Sequence, residues 1–283
     1  MIFKMSKIGL VYTILREDEK FIIEGAKKNG VDLILLNTDK LILEPQKNFN
    51  FDLLINRCIS NFIGEQVTYF FENFNIPVIN NSKISNICAN KFLTSIFLYK
   101  NNIPTIPFLV FFNENLIEEV NKILGDYPFV LKPIYGSWGR LLSKINDKDC
   151  FESILEHKKY LSCPYHNIFY TTKYIEKPGR DIRVTIIGSQ IICAVYRKNS
   201  HWISNTARGG IIEKCELNND LINLCNKIIN ILGEGIFGVD IFESENGYLV
   251  NEINHTVEFK NIQKTLNIDI GSEIIKYCLG KII

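Results

Sequence analysis

Lys132-Pro133-Ile134-Tyr135-Gly136-Ser137-Trp138-Gly139-Arg140 follows the apolar run Phe129-Val130-Leu131 and leads into a second strand-like run at 141–145. The segment reads as strand, glycine-rich turn, strand. Backbone N–H groups in such a turn can cradle phosphate oxygens, because glycine lets the main chain approach closely. A lysine aimed at the same spot supplies countercharge. Taken alone, the stretch reads as an ordinary hairpin turn with a surface lysine, and the phosphate cradle is the alternative. Its surroundings decide between them.

Upstream, apolar runs at 7–11, 32–37, 52–55 and 77–79 alternate with helical patterns at 17–29 and 64–73. This βαβ rhythm predicts a parallel sheet at the N-terminus. The first strand lacks the glycine-rich dinucleotide loop, so the sheet need not bind NAD. Ser82 reads as the cap of a helix through Ala89, and 91–101 as the next helix. Ile103-Pro104-Thr105-Ile106-Pro107 breaks the pattern. A second unit follows, with strands at 108–112, 129–131, 141–145 and 168–174 and helices at 114–124 and 148–160. The third has strands at 181–187 and 191–197, a polar loop, a helix at 218–232, a hairpin at 239–251 and closing helices. The expected division is 1–104, 105–178 and 179–283.

The chain has 283 residues, 46% hydrophobic and 22% charged, which excludes intrinsic disorder. A net charge of +1 gives no global attraction for nucleic acid or an anionic membrane. No apolar run approaches the roughly 18 residues of a membrane span. Residues 8–15 run straight into Arg16-Glu17-Asp18-Glu19-Lys20, a strand and a helix start rather than a signal peptide. Eight scattered cysteines without a Cys-x-x-Cys pair predict reduced thiols in a cytoplasmic protein, with no disulfide and no zinc site.

Two further constellations carry chemistry. On a strand, Asp181 and Arg183 share one face, because side chains repeat every second residue. With Arg197 on the next strand and Arg208 in the loop beyond, the arginines form a cationic wall for phosphate or carboxylate; a solvated sheet face with surface ion pairs is the alternative. Asp240, Glu252 and Asn254 are hard oxygen ligands on neighbouring strands, suited to Mg²⁺ held with phosphates. A two-residue Asn246-Gly247 turn pairs Asp240 with Ile253 and puts Glu252 on the opposite face. A three-residue turn, Glu245-Asn246-Gly247 with Gly247 left-handed, pairs Asp240 with Glu252. Metal binding predicts the latter; the alternative is a polar sheet rim. Gly233-Glu234-Gly235-Ile236-Phe237-Gly238 matches G-x-G-x-x-G but follows a helix and enters a strand, the reverse of the dinucleotide fingerprint. The four histidines show no ligand spacing. His157 and His166 read as surface residues, while His201 and His255 sit inside the candidate site segments.

Together these segments resemble an ATP-grasp ligase of the RimK-like branch, most closely its LysX-type members of lysine biosynthesis, which act on the amino-group carrier protein LysW. The similarity runs over nearly the whole chain and is most specific at His201-Trp202-Ile203-Ser204-Asn205-Thr206-Ala207-Arg208-Gly209-Gly210 and in the 251–261 stretch, Asn251-Glu252-Ile253-Asn254-His255-Thr256-Val257-Glu258-Phe259-Lys260-Asn261. The resemblance implies an α/β ATP-grasp fold with an N-terminal pre-ATP-grasp domain, a central lid and a C-terminal α+β domain. It implies that Lys91 and Lys132 contact ATP phosphates under a loop of Gly136, Ser137, Trp138, Gly139, Arg140, Leu141 and Leu142. The stretch 172–182, with Thr172, Lys173, Tyr174, Ile175 and Asp181, supplies the adenine hinge. Asn205 meets the nucleotide, Arg197, Arg183 and Arg208 meet the substrate or acyl phosphate, and Asp240, Glu252 and Asn254 hold one or two Mg²⁺ ions.

The implied reaction joins α-aminoadipate, or glutamate, to a carrier's C-terminal glutamate side chain through an acyl phosphate, releasing ADP; a RimK-like glutamate ligase acting on another acceptor is the further alternative. The implied partners are a small acidic carrier and the amino acid, with no nucleic acid or membrane, in a homo-oligomer. Three departures stand out. Lys173 replaces an acid beside the adenine, and Asn90 replaces an Asp before the first lysine. Lysine-type enzymes carry Asn-Ser or Asn-Thr after Glu-Phe-Lys and arginine-type ones Gly-Phe, whereas here the pair is Asn261-Ile262. The substrate's second carboxylate also needs a cationic clamp, which the sequence does not single out.

Overall fold

Apolar patterning sorts the chain into three sheets, which the computed structural model describes over residues 6–204 and 209–282. Asn205 and Arg208 lie outside the described residues. The first sheet is parallel, in the order β2-β1-β3-β4, from β1 (Lys7–Tyr12), β2 (Asp32–Asn37), β3 (Leu53–Arg57) and β4 (Val78–Ile79). Helices α1 (Glu17–Lys28) and α2 (Asn61–Asn73) make its crossovers. The acidic first turn and basic last turn of α1 complement the helix dipole. Ser60 caps α2 through the Ile63 amide, so this helix starts earlier than its apolar pattern suggests. Asn81, not Ser82, caps α3 (Ser82–Ala89): its extended backbone lets its side chain accept from the Ile84 amide, whereas Ser82 is already helical. Asn90 likewise caps α4 (Lys91–Lys100), accepting from the Phe92 and Leu93 amides as an aspartate would.

The second sheet is antiparallel, in the order β5-β8-β6-β7: β5 (Phe108–Phe111), β6 (Phe129–Lys132), β7 (Ser143–Ile145) and β8 (Phe169–Lys173). Helices α5 (Ile117–Leu124) and α6 (Lys148–Lys159) bury Val120, Leu124, Phe151 and Leu155 against it. A 3-10 turn over Glu114–Leu116 precedes α5. The strand read from 141 begins at Ser143, because Leu141 stays in the turn with φ 57°.

The third sheet runs β11-β10-β9-β12-β13, from β9 (Arg180–Gly188), β10 (Gln190–Lys198), β11 (Ile211–Cys215), β12 (Gly235–Ser244) and β13 (Gly247–Asn254). The sequence reading placed β11 in a polar loop; as a short edge strand it buries only Cys215, so it shows no clean alternation. One face packs on α7 (Asn219–Leu232) together with Ile84, Cys88 and Leu98 of α3 and α4. The other face shares a core with the first sheet, α1, α8 (Lys260–Leu266) and α9 (Ile270–Leu279). The first and third sheets therefore form one packed body. The eight cysteines are free thiols, six of them buried. Among the described residues no helix is long and apolar enough to cross a membrane.

Buried Asn80 stitches the first and third sheets together. Its Nδ2 donates to the carbonyls of Ile236 and His255 at 2.6 and 2.7 Å, and its Oδ1 accepts from the Ile236 amide at 2.7 Å. Asn80→Ala leaves these buried groups unpaired and is expected to cost about 2–3 kcal/mol, read by chemical denaturation.

Candidate active site

The β12–β13 hairpin aligns the acidic residues. Ser244 pairs with Gly247, so the turn is the two residues Glu245-Asn246 rather than the anticipated three, although Gly247 does take a positive φ of 104°. Such a turn alone would set Asp240 opposite Asn251. Instead the register shifts between Asp240 and Ile241, leaving Asn251 as the extra residue and placing Asp240 opposite Glu252. A bulge re-aims side chains in this way. The anticipated pairing is present, produced by a different device. Asn251 meets the end of β6, where Lys132 Nζ donates to its Oδ1 at 2.8 Å.

Charges interlock around this point. Asn254 Nδ2 donates to Glu252 Oε1 at 3.2 Å and lies 3.5 Å from Asp240 Oδ2. Lys91, at the start of α4, reaches Glu252 Oε2 at 3.3 Å and donates to the Gly136 carbonyl at 2.7 Å. Arg183 grips Asp240 through Nε and Nη2. Arg197 holds Asp181 through Nε and Nη2 at 2.7 and 2.9 Å, and its Nη2 lies 3.0 Å from Asp240. Asp181 and Arg183 share a face, as the strand period requires. The expected cationic wall is not free charge, however, at the two of its arginines that the structure describes. Strand pairing sets Asp240 beside Arg183 and Asp181 beside Arg197, so both arginines are matched by acids distant in sequence.

These neighbours tune ionisation. Burial acts to raise Glu252, but Lys91, Arg183 and Lys132 outweigh it and hold the carboxyl well below its usual range. Burial pushes Asp240 up, against Arg183 and Arg197. Burial drives Lys132 down to about 8, Lys91 and Lys177 adding to the effect and Glu252 opposing it. A lysine that must be charged to hold phosphate loses its proton as pH rises through that value. The kcat/KM for ATP is therefore expected to fall with a midpoint near pH 8 in the free enzyme. Lys132→Arg removes that inflection from the profile, since a guanidinium does not titrate there.

Two cavities meet at this cluster, sharing Lys91, Gly136–Gly139, Arg197, Asp240 and Glu252 as lining. The smaller, ≈ 100 Å³, has apolar walls of Ile106, Val130, Ile175 and Phe242 and is further lined by Lys132, Arg140, Leu142, Thr172, Lys173, Tyr174 and Asp181. Thr172 is 1% exposed and its Oγ1 has no partner among the described residues. The larger, ≈ 370 Å³, is lined by Arg16, Arg183, Asn254, His255, Glu258, Lys260, Asn261 and Ile262 among others. Burial lowers His255 to about 4.

The fold thus gathers Lys91, Lys132, Asp240, Glu252 and Asn254 around one cleft. Leu141 is 55% exposed and lines neither cavity. Arg140 stacks 4.8 Å over the Trp138 ring. His157 is exposed; His166, in a 3-10 turn, is half-buried, with its Nδ1 lacking a partner among the described residues. Sequence reasoning missed Asn251, which only the bulge brings to Lys132. It also gave Lys177 no role of its own, although the side chain sits 4.5 Å over the Phe242 ring and donates to Ser204. A third omission is a chain of contacts behind the loop. Trp138 Nε1 donates to Glu258 at 3.2 Å, Glu258 pairs with Arg16 at 2.8 Å, and Arg16 and Arg57 share Glu19.

Two carboxylates on one face, with the Asn254 side-chain amide beside them, suit Mg²⁺, which takes few protein ligands and completes its shell with water and phosphate oxygens. Among the described residues no group of three or more His, Cys, Asp or Glu gathers elsewhere as a metal site.

A cleft between a glycine-loop lid and a sheet bearing carboxylates and arginines defines an ATP-grasp enzyme. Residues 88–278 match the RimK-like ATP-grasp domain and residues 8–87 the LysX preATP-grasp domain. The chain belongs to the RimK-like ATP-grasp family of ligases, which use ATP. It is 32% identical to the alpha-aminoadipate–LysW ligase LysX of Sulfurisphaera tokodaii over 277 residues, covering 95% of this chain and 96% of that protein. It is 29% identical to the glutamate–LysW ligase ArgX of the same organism, covering 96% and 97%. The crystal structure of a RimK domain ATP-grasp protein from Sphaerobacter thermophilus superposes with a TM-score of 0.81 at 22% identity, covering 96% of this chain and 99% of that one.

Proposed function

We propose that this protein joins the α-amino group of α-aminoadipate to the C-terminal glutamate side-chain carboxylate of a small acidic LysW-like carrier, forming ADP, in cytoplasmic lysine biosynthesis. The observation that carries the reading is the meeting of two cavities at Lys91, Arg197, Asp240 and Glu252, one suited to a nucleotide and one to an acidic acceptor pair. The likeness to the LysX ligase along almost the full chain supports the same substrates.

In this reading the carrier carboxylate attacks the γ-phosphate of ATP, ADP departs, and the amine displaces phosphate from the resulting acyl phosphate. The chain's own work is positioning and charge neutralisation. Lys91 and Lys132 hold the phosphates from both sides, and Lys91 also ties down the loop at the Gly136 carbonyl. Arg183 and Arg197 offset the charge of two anionic partners that otherwise repel. The loop 136–142 and the sheet of β5 to β8 exclude water from the acyl phosphate. Bound at Asp240, Glu252 and Asn254, Mg²⁺ supplies Lewis-acid neutralisation of the triphosphate.

The experiment is incubation with ATP, Mg²⁺, the carrier and α-aminoadipate, followed by mass spectrometry of the carrier. The expected result is an added aminoadipyl mass with stoichiometric ADP; the absence of both refutes the proposal. Glutamate is the second reading, favoured by Ile262, an apolar, buried residue where lysine-type relatives carry Ser or Thr. Equal concentrations of both amino acids in one reaction decide between them.

A further inference from the structure

We infer that Glu258 is a positioning residue: it fixes Trp138 of the glycine loop as the wall between the two cavities, and so keeps water from the acyl phosphate. The inference rests on the ligase reading above. Trp138 lines both cavities, and Glu258 lines the larger one. The indole Nε1 donates to Glu258 Oε1 at 3.2 Å. The same oxygen accepts from Arg16 Nη1 at 2.8 Å. A carboxylate oxygen that receives two donors is fixed in direction, and hydrogen bonds to an ionised acceptor are among the stronger kinds.

The anchor behind Glu258 is made of buried groups. Glu19, at 0% exposure, accepts from the Arg16 amide, Nε and Nη2 and from Arg57 Nε, so both guanidinium groups are held in place. Arg57 also donates through Nη1 to the Val257 carbonyl at 2.8 Å, one residue before Glu258. The carboxylate that receives the indole is therefore tied to the start of α1 and the end of β3. Trp138 itself belongs to the loop between β6 and β7.

The backbone of Trp138 points the same way. Its φ of 61° is left-handed, which is uncommon for a bulky side chain and persists where surrounding contacts hold it. Lys91 ties the loop at the Gly136 carbonyl, beside Glu252, and Glu258 ties it on the side of the larger cavity. Without the second tie the indole swings away, and the meeting point of the cavities opens to solvent. Water then attacks the acyl carbon of the carrier's acyl phosphate. The carrier carboxylate is regenerated and inorganic phosphate leaves, with ADP already formed. ATP is consumed without an amide.

The test measures ADP and amide in the same reaction, with ATP, Mg²⁺, carrier and whichever of α-aminoadipate and glutamate the wild type uses. The proteins are full-length wild type, Glu258→Ala, Glu258→Gln, Trp138→Phe and the double variant Glu258→Ala, Trp138→Phe. Wild type releases ADP and amide in equal amounts. Glu258→Ala and Trp138→Phe are each expected to release about five or more ADP per amide, since losing a hydrogen bond to a charged group shifts the balance of closed and open loop by about tenfold. The double variant stays within about twofold of the worse single one, because both substitutions cut the same contact. Glu258→Gln keeps an acceptor oxygen and holds the ratio below about two. Equal ADP and amide in an active Glu258→Ala variant overturns the inference, as does a double variant in which the two increases multiply. A merely structural role lowers the rate and leaves the ratio unchanged, and that result overturns it as well. Wild-type protein that forms no amide with either amino acid overturns the ligase reading and the positioning role together.

Discussion

Glu252→Gln is expected to lower kcat by about 10³-fold, the cost of removing one preorganised charge from the point where transferred charge develops. The substitution preserves shape, so the β12–β13 ladder remains. It removes the anion that Lys91 reaches at 3.3 Å and that counters burial at Lys132. Lys91, Arg183 and Lys132 then face one another with less compensation, and the proposed Mg²⁺ site has a neutral amide oxygen in place of a carboxylate. Two measurements check the expectation. Carrier-dependent ADP release falls by the stated factor, and the Mg²⁺ concentration giving half-maximal rate rises by about tenfold or more, as loss of one of two carboxylate ligands requires. An unaltered Mg²⁺ requirement removes Glu252 from the metal site.

Gly271→Val has its largest effect on stability. Helices α1 and α9 approach so closely that a Cβ on Gly271 overlaps the Phe21 carbonyl, whose carbon lies 2.6 Å away, and a Cβ on Gly25 comes within 2.5 Å of the Gly271 carbonyl carbon. These neighbours are backbone atoms, which cannot rotate aside. The helices must separate, and the shared core of Ile22, Ala26, Ile274 and Ile275 opens with them. The expected cost is on the order of 4 kcal/mol, at the upper end for overpacking. Gly30→Ala is the control. Gly30 has φ 66° but nothing within 4 Å of an added Cβ, so only backbone strain of about 1 kcal/mol applies. Denaturant midpoints of the two variants separate crowding from strain.

Local features of the site were legible in the sequence. Lys132 and its glycine turn are contiguous, and the Asp181-x-Arg183 face follows from the two-residue period of a strand. Glu252 and Asn254 share a strand face for the same reason. What escaped depends on cross-strand register, which local pattern does not encode. The bulge at Asn251 replaced the anticipated turn as the device that aligns Asp240 with Glu252. The pairing of Arg197 with Asp181 required knowing that β10 lies against β9 in this register. Strand β11 hid because an edge strand needs no apolar alternation, and α2 began early because a cap and a half-exposed first turn outweighed hydrophobic period.

The glycine loop carries one of the chain's two tryptophans, Trp138, and the other, Trp202, faces the same small cavity. The protein therefore holds both of its strong ultraviolet emitters at the proposed nucleotide cavity. Intrinsic emission should shift when a nucleotide analogue is added, without any attached dye. Trp138→Phe, which drops the Glu258 hydrogen bond while keeping an aromatic ring, should leave Trp202 to report alone. Stopped-flow traces of the two proteins would then time the loop separately from the cavity wall that carries Trp202.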